Sequence, residues 1–297
     1  MSVRPEAPKE VKEGDVAPRK KMTIQKLHQM KQTGVPIAML TAYDYPTGRA
    51  CEAYGVDITL VGDSLAQVCL GYPSTTRLTL TEMLHHVQAT SRGSSHPLLI
   101  ADMPFGTYAS GVTSTIQNAI KLIQEGGADG VKMEGGGEDV VENVEYLTRR
   151  GIPVMGHVGL LPQRHISSSG YRVQGRDATS ADEVLRAAKA VEKAGAFAVV
   201  LEAIPSLLGE YITKELRIPT IGIGAGSGTD GQVLVWDDLV GNWSGHKAKF
   251  VRRFADAKSE CRRGVLGYIQ AVRKRSFPDE SESYGIDQMN LYGEDKM

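Results

Sequence analysis

The sequence predicts an α/β protein of the (β/α)8 barrel class, and three observations support this prediction. From Pro36 onward, short apolar and β-branched runs alternate with longer amphipathic segments, which implies parallel strands joined by helical crossovers. Several of the amphipathic segments end in a similar glycine-containing phrase, which fits the left-handed residue that separates a helix from the next strand. The length of 297 residues suits one barrel, because barrels of about 250 residues fold as a single unit.

The predicted strands are nearly continuous apolar runs, as expected when helices cover a parallel sheet. In chain order they are 37–41, 58–61, 98–101, 130–133, 153–155, 198–201, 220–222 and 233–236. Eight strands favour a closed barrel over an open doubly wound sheet. The eighth run is the weakest of the set, and therefore the open sheet remains the alternative.

The predicted helices are the amphipathic segments between these strands. They are 46–54, 81–92, 113–125, 138–149, 181–193 and 206–215. Acidic Glu138 and Asp139 favour a helix start after the glycine run 135–137, which we expect to turn tightly. A further glycine run, 222–228, is expected either to cradle a phosphate or to allow close backbone packing at the mouth of the barrel.

The ends of the chain differ from the middle in composition. We predict a flexible N-terminal arm over 1–21, a catalytic barrel with its C-terminal helix over 22–276, and an acidic, disordered tail over 277–297. The stretch 247–275 is helical in pattern and basic, which is typical of a solvated helix face. The start lacks the apolar segment of a secretory signal, and its acidic residues disagree with a mitochondrial transit peptide. An intracellular, cytoplasmic location is therefore expected, with mitochondria as the alternative.

The composition argues against several classes of protein. Thirty-four basic and 35 acidic side chains give a net charge of −1, which provides no field for binding nucleic acid or an anionic membrane. No apolar run approaches the roughly 18 residues of a membrane span. The 3 cysteines are too few for a disulfide framework and lack zinc-ligand spacing. We therefore expect small-molecule partners, with neither nucleic acid nor membrane among them.

Polar residues follow the predicted strands at the points where those strands end. The residues at these positions are Tyr43, Asp44, Asp63, Ser64, Asp102, Lys132, Glu134, His157 and Glu202. Charged groups at the ends of buried strands are costly unless they pair or bind a ligand. Because the carboxyl ends of barrel strands carry the active site, we interpret these positions as one site. Isolated structural ion pairs are the alternative for single residues, and a buried structural histidine is the alternative for His157.

The types of residue in this set narrow the chemistry. Asp63, Asp102 and Glu134 offer hard oxygen ligands without cysteine or paired histidines, which favours Mg²⁺ over Zn²⁺. Lys132 and Ser64 can anchor a carboxylate and an oxyanion. Glu202 precedes the apolar segment 203–205 and can serve as a general base. Together these groups suit an enzyme that forms an enolate from a 2-oxo acid.

Several strings of the sequence resemble one family. They are Leu40-Thr-Ala-Tyr-Asp44, Val61-Gly-Asp-Ser-Leu65, Ala101-Asp-Met-Pro-Phe105, Val131-Lys-Met-Glu-Gly-Gly136, Gly156-His-Val-Gly-Leu160, Tyr171-Arg-Val-Gln-Gly-Arg176, Leu201-Glu202, Ile221-Gly-Ile-Gly-Ala-Gly226 and Asp230-Gly-Gln-Val-Leu234. Occurring in this order between Met22 and Phe277, they resemble the ketopantoate hydroxymethyltransferase family. The resemblance implies a barrel of the phosphoenolpyruvate/pyruvate type and a homo-oligomer.

The resemblance also implies an activity, the transfer of a hydroxymethyl group from the co-substrate 5,10-methylenetetrahydrofolate to 3-methyl-2-oxobutanoate. The product, 2-dehydropantoate, serves pantothenate and coenzyme A biosynthesis. The residue roles that it implies are Mg²⁺ binding by Asp63, Asp102 and Glu134, substrate binding by Asp63, Ser64, Asp102 and Lys132, and catalysis by Glu202 as the base and His157 near the new hydroxymethyl group.

Another Mg²⁺-dependent enolate enzyme, such as a 2-oxo-acid aldolase or lyase, is the second hypothesis, and a non-catalytic barrel is the third.

The chain departs from the family pattern in places. Ser169 and Arg172 stand in the stretch where the family often has glycine and lysine, Trp236 precedes Asp237 where histidine is usual, and Ala248 replaces a proline. These positions lie outside the expected metal and base residues. The departures therefore bear on the folate pocket, the mouth loops or the subunit contacts rather than on the reaction.

Overall fold

The computed structural model describes residues 20–165, 170–245 and 247–285, and its centre is a closed barrel of eight parallel strands. The strands are β1 (Ile37–Thr41), β2 (Ile58–Val61), β3 (Leu98–Asp102), β4 (Gly130–Glu134), β5 (Val154–Gly159), β6 (Ala198–Glu202), β7 (Thr220–Ile223) and β8 (Gly231–Leu234). Each strand pairs with the next one along the chain, and β8 pairs with β1. The predicted barrel is confirmed, and the open-sheet alternative is wrong because β8 closes the ring.

The helices surround this barrel. They are α1 (Ile24–Thr33), α2 (Tyr45–Ala53), α3 (Leu65–Val68), α4 (Leu80–Ser91), α5 (Val112–Gln124), α6 (Glu138–Thr148), α7 (Ala178–Lys193), α8 (Ser206–Glu215), α9 (Trp236–Leu239) and α10 (Ala257–Arg273). Asp44, Thr79 and Asp177 begin α2, α4 and α7 with reciprocal capping boxes, which satisfy backbone N–H groups of the first turn. Among the described residues, no helix is long and apolar enough to cross a bilayer.

Two strands differ most from the prediction. The strand β5 runs from Val154 to Gly159, well beyond the predicted end at Met155. Gly156 lies within this strand and allows α7 to pack closely against it, since a side chain at this position would meet the Val191 side chain at 2.9 Å. The strand β8 ends at Leu234, and Trp236 begins α9 instead of ending a strand.

The helix α1, which the sequence patterns did not reveal, lies at the amino-terminal end of the barrel. Its buried Leu27 and Met30 pack in one cluster with Ile37 and Phe197. The Nζ atom of Lys31 lies 2.7 Å from Oδ2 of Asp230, just before β8. Because apolar packing fills this end, the cavity that can hold a ligand lies at the carboxyl end of the strands.

The predicted arm and tail are described only in part. Residues 1–19 of the arm lie outside the described residues, and Lys21 donates to Asp129 at 2.5 Å and to the Pro97 carbonyl at 2.8 Å. Residues 286–297 of the tail also lie outside them. The ring of Phe277 packs edge to face against Tyr268 of α10 at 5.6 Å between centroids. The basic stretch becomes helical only at Ala257, where Asp256 caps the helix, and not from residue 247.

Candidate active site

A cavity of about 190 Å³ lies at the carboxyl ends of the barrel strands. The structure brings all seven residues with predicted site roles to its wall: Asp63, Ser64, Asp102, Lys132, Glu134, His157 and Glu202. The apolar part of the wall comes from Leu60, Val200, Ile223 and Val233, with Tyr171 and Phe250 also on the wall. The cavity is thus lined by both charged and apolar residues.

The backbone geometry explains this arrangement. Lys132 and Glu134 lie two residues apart on β4, and therefore their side chains leave the same face of the strand. Asp102 is the last residue of β3, and its Oδ2 accepts a hydrogen bond of 2.9 Å from the backbone N–H of Asp63. Ser64 follows, with its Oγ 2.9 Å from the Tyr43 hydroxyl. Adjacent strand ends therefore converge on one cluster.

Two of the other strand-end features have different roles. Asp44 caps α2 through the backbone N–H of Thr47 and does not line the cavity. In the glycine run after β7, a side chain at Gly224 would meet the Phe250 ring at 2.7 Å, and one at Gly226 would meet Ser206 at 2.4 Å. The glycines therefore allow close packing at the mouth, which was one of the two predicted alternatives.

Negative charge dominates the centre of the cluster. The Nζ atom of Lys132 lies 3.1 Å from Oδ1 of Asp102 and 3.0 Å from Nδ1 of His157, and all three side chains are buried. Burial, together with the nearby Glu134 and Asp102, raises the pKa of Asp63 well above its usual range. Burial opposes the charge of Lys132, but the three carboxylates outweigh it and raise the pKa of this lysine. The lysine therefore stays protonated.

His157 connects the two ends of the cluster. Its Nδ1 lies 3.5 Å from Oε1 of Glu134, and its Nε2 lies 3.1 Å from Oε2 of Glu202. Burial and Lys132 oppose its protonation, but Glu134 and Glu202 outweigh them and raise the pKa of His157 to about 9. These two distances show that the imidazole lies between the carboxylates of Glu134 and Glu202.

The position of Glu202 depends on unusual backbone around it. Ala203, which follows it, has φ 47°, a left-handed conformation that costs a non-glycine residue about 1–2 kcal/mol. Gly159 on the neighbouring strand approaches so closely that a side chain there would lie 2.3 Å from the Glu202 carbonyl oxygen. Strain of this kind is often stored at functional sites, where it holds a side chain in place.

Sequence reasoning missed Gln163. This residue lies in the 3-10 turn Pro162–Arg164 that follows β5, and only 5% of it is exposed. Its side-chain amide donates to Oδ2 of Asp63 at 3.0 Å, and its backbone N–H donates to Oε2 of Glu134 at 3.0 Å. Because it is uncharged and lies in a loop, no pattern of charged strand ends could identify it.

The donor set can be tested for its fit to a metal ion. Among the residues that the structure describes, no group of three His, Cys, Asp or Glu side chains is arranged as a ready metal-binding cluster. Asp63, Asp102 and Glu134 nevertheless share the cavity, and the buried Oδ1 of Asp102 makes no hydrogen bond, although Lys132 lies nearby. A hard cation that takes few carboxylates directly and keeps its waters fits such a set.

Comparison with known proteins identifies relatives over most of the chain. Residues 21–280 match the family described as ketopantoate hydroxymethyltransferase. A 3-methyl-2-oxobutanoate hydroxymethyltransferase of Deinococcus radiodurans is 50% identical over 256 residues, which cover 86% of this chain and 90% of that protein. The protein of the same name from Bacillus licheniformis is 48% identical over 265 residues, covering 89% of this chain and 95% of its own length.

Solved structures share the architecture at low sequence identity. Phosphonopyruvate hydrolase in complex with oxalate and Mg²⁺ has a TM-score of 0.55 at 14% identity, covering 87% of this chain and 92% of the other. A 2,3-dimethylmalate lyase, described as a member of the PEP mutase/isocitrate lyase superfamily, has a TM-score of 0.51 at 14% identity, covering 89% and 90%. These structures share the fold of this chain, a closed barrel of parallel strands surrounded by helices.

Proposed function

The chain belongs to the ketopantoate hydroxymethyltransferase family, and we propose that it transfers a hydroxymethyl group from 5,10-methylenetetrahydrofolate to 3-methyl-2-oxobutanoate, giving 2-dehydropantoate. The observation that carries this proposal is the arrangement of the cavity. A carboxylate that can accept a proton, Glu202, lines the same cavity as Lys132 and the acidic pair Asp63 and Asp102, which can hold an oxo acid.

The charged residues that line the cavity suit the oxo-acid group. The protonated amine of Lys132 can bind the substrate carboxylate or the oxygen of the adjacent carbonyl, and the Ser64 hydroxyl can donate to the same group. Asp63 and Asp102 would hold Mg²⁺, with Glu134 acting through water. When bound, Mg²⁺ supplies a Lewis acid that polarises the carbonyl of the oxo acid. The apolar wall formed by Leu60, Val200 and Val233 suits the two methyl groups.

Proton removal at C3 is the step that needs a base. This carbon is tertiary and only weakly acidic, so that the oxygen of the neighbouring carbonyl must take up the negative charge as the proton leaves. In our proposal the carboxylate of Glu202 accepts the proton, and the charge of Lys132 stabilises the enolate oxygen. The Nε2 atom of His157 lies 3.1 Å from Oε2 of Glu202, and in our proposal the imidazole keeps this carboxylate in place.

The nucleophilic C3 then attacks the one-carbon unit of the folate. The new bond joins C3 to the methylene carbon, both bonds from that carbon to folate nitrogens are broken, and one water supplies the hydroxyl group. The proton taken from C3 and the second proton of the water go to the two nitrogens, so that tetrahydrofolate leaves. His157 lies next to Glu202, where it can hydrogen-bond the new hydroxymethyl oxygen. The half-exposed rings of Tyr171 and Phe250 at the mouth support a flat pterin ring binding there.

Exchange of the C3 proton in D₂O tests the chemical step. NMR should show exchange that depends on Mg²⁺, and Glu202→Gln should reduce its rate by at least roughly 100-fold while substrate binding persists. The matched control is Glu210→Gln, which alters an exposed glutamate of α8 paired with Lys214. Undiminished exchange in Glu202→Gln would remove this residue from the base role, and exchange without metal would contradict the metal's part.

A second measurement separates the transferase from the other enolate enzymes. Formation of 2-dehydropantoate should require methylenetetrahydrofolate, whereas an aldolase or lyase of the same barrel type would turn over without folate. Turnover of 2-oxo acids that is indifferent to folate would favour the second hypothesis. Absence of both exchange and turnover in the full chain with Mg²⁺ would favour the non-catalytic barrel.

A further inference from the structure

We propose that Gln163 is a positioning residue that fixes the orientation of Asp63 and Glu134, and that Tyr108 in turn fixes the amide of Gln163. The proposal rests on the proposed function, because it concerns the two carboxylates that are expected near the metal. It assigns a task to an uncharged residue that lies outside both β2 and β4 and contacts Asp63 through its side-chain amide and Glu134 through its backbone N–H.

Every polar atom of the Gln163 side chain has a partner in the fold. Its Nε2 donates to Oδ2 of Asp63 at 3.0 Å and to the Met103 carbonyl oxygen at 3.0 Å. Its Oε1 accepts from the Tyr108 hydroxyl at 2.6 Å. Since a primary amide has two N–H hydrogens, both donors are used.

These contacts determine which way the amide points. Turned by half a rotation, Gln163 would face its oxygen toward the Asp63 carboxylate and the Met103 carbonyl, so that two pairs of acceptors would oppose each other. The Tyr108 hydroxyl could rotate to suit either orientation, but it completes the set only as a donor to Oε1. The amide is therefore held in one orientation.

The consequence for the carboxylates is directional. The Oδ2 atom of Asp63 receives the Gln163 amide, so that Oδ1 is the oxygen left to bind a ligand. One oxygen of Glu134 receives the Gln163 backbone N–H, while the other lies toward His157. Groups that hydrogen-bond a metal ligand from behind tune its affinity by roughly 10- to 100-fold. Because the amide is neutral, it does so without adding charge to the site.

The rest of the loop supports this contact. The side chain of Asn143 on α6 donates to the Tyr108 carbonyl oxygen at 3.0 Å, and Asn118 on α5 donates to the Thr107 carbonyl oxygen at 2.6 Å. Two helices on the outside of the barrel thus hold the backbone that carries Tyr108. The orientation of the carboxylates therefore depends on a chain of contacts from α6 through Tyr108 and Gln163.

The test is Gln163→Met, which keeps the unbranched shape and the backbone N–H but removes the amide. Calorimetric titration of the full chain with Mg²⁺, and Mn²⁺ binding followed by electron paramagnetic resonance, should show roughly 10- to 100-fold weaker binding. The Mg²⁺ concentration for half-maximal turnover should rise by the same factor, and saturating Mg²⁺ should restore most of kcat. The matched control is Gln174→Met, at a half-buried glutamine whose amide bonds only a nearby carbonyl in the described structure.

Tyr108→Phe provides the second variant, which keeps the ring and removes the hydroxyl. It should weaken Mg²⁺ binding by roughly 3- to 10-fold, less than the loss of the amide itself. The double variant should bind no worse than Gln163→Met alone, because both changes act on one chain of contacts. Tyr108→Phe also carries the test if Gln163→Met fails to fold.

The outcomes separate this proposal from the proposed function. If the wild type binds Mg²⁺ and turns over, and folded Gln163→Met binds Mg²⁺ equally well, the positioning role is wrong. Additive losses in the double variant would overturn the part assigned to Tyr108. A wild type that binds no divalent cation would instead overturn the metal part of the proposed function.

Discussion

At the scale of single residues, the site is governed by an imbalance of charge. Asp63, Asp102 and Glu134 are each at most 5% exposed, and the lysine that faces them, Lys132, is equally buried. Taking these groups out of water is costly, and the attraction between Lys132 and the carboxylates offsets part of the cost. Lys132 therefore stabilises the fold of the site as well as serving as a proposed substrate ligand.

We predict that Lys132→Met destabilises the metal-free protein by about 3 kcal/mol, because it leaves buried carboxylates without their cation. The matched control is Lys189→Met, which breaks an equally direct contact of 2.7 Å to Glu215, but at the surface. Exposed pairs contribute about 0–1 kcal/mol, and the control should therefore change little. Urea unfolding in the presence of a chelator measures both, and equal losses in the two variants would contradict the prediction.

The charged residues of the site could be predicted from the sequence, whereas the uncharged residues that hydrogen-bond them could not. A buried Asp102 or Lys132 at the end of an apolar strand stands out, since few other roles explain a charge there. Gln163 and Tyr108 carry no such signal, because their importance lies in contacts across 55 residues of sequence. The link from His157 to Glu202 also depends on the neighbouring strand register.

At the scale of elements, the glycine run after β4 sets how closely the layers approach. Gly135 has φ 113°, which lets the chain turn directly after Glu134. Gly136 then lies so close to α7 that a side chain would meet Cβ of Ala187 at 2.4 Å and its Cα at 2.6 Å. The sequence indicated the tight turn, but the contact with α7 follows from the packing of the barrel.

We predict that Gly136→Ala destabilises the protein by about 1–3 kcal/mol, because the clash is with backbone and Cβ atoms that cannot move aside. The matched control is Gly267→Ala in α10, where a side chain would meet nothing within 4 Å. Alanine in an exposed helix interior should stabilise by about 0.5–1 kcal/mol. The measurement is the free energy of unfolding, which should fall for Gly136→Ala and rise for Gly267→Ala. A decrease in both variants, or in neither, would contradict the prediction.

At the scale of the whole molecule, closure of the barrel determines features that local patterns do not. The strand β8 pairs with both β1 and β7, so that its bounds, Gly231–Leu234, depend on two distant neighbours. The first seven strands begin within one residue of their predicted starts, because apolar β-branched runs identify them locally. The helix α1 escaped prediction since its pattern is weak, with Leu27 and Met30 as its only buried residues.

The helix α10 leads to a prediction about assembly. Within the part of the chain that the structure describes, no residue of α10 is buried. Val265, Tyr268 and Val272 nevertheless form an apolar stripe at helical spacing, and they are between 44% and 58% exposed. A helix of 17 residues with an uncovered stripe adds little to the stability of a single chain. The resemblance to the family implies a homo-oligomer, and we therefore expect a second copy of the chain to cover this stripe.

Light scattering coupled to size exclusion tests this expectation. The wild type should exceed the monomer mass of 32.1 kDa, and the double variant Val265→Asp with Val272→Asp should shift toward that mass, because two charges would have to be buried in the interface. Gln270→Asp, on the opposite side of α10, should leave the assembly intact. Since all seven predicted site residues come from one barrel, the dissociated variant should retain Mg²⁺-dependent C3 exchange. A monomeric wild type, or an unchanged mass in the double variant, would show that α10 is not the interface.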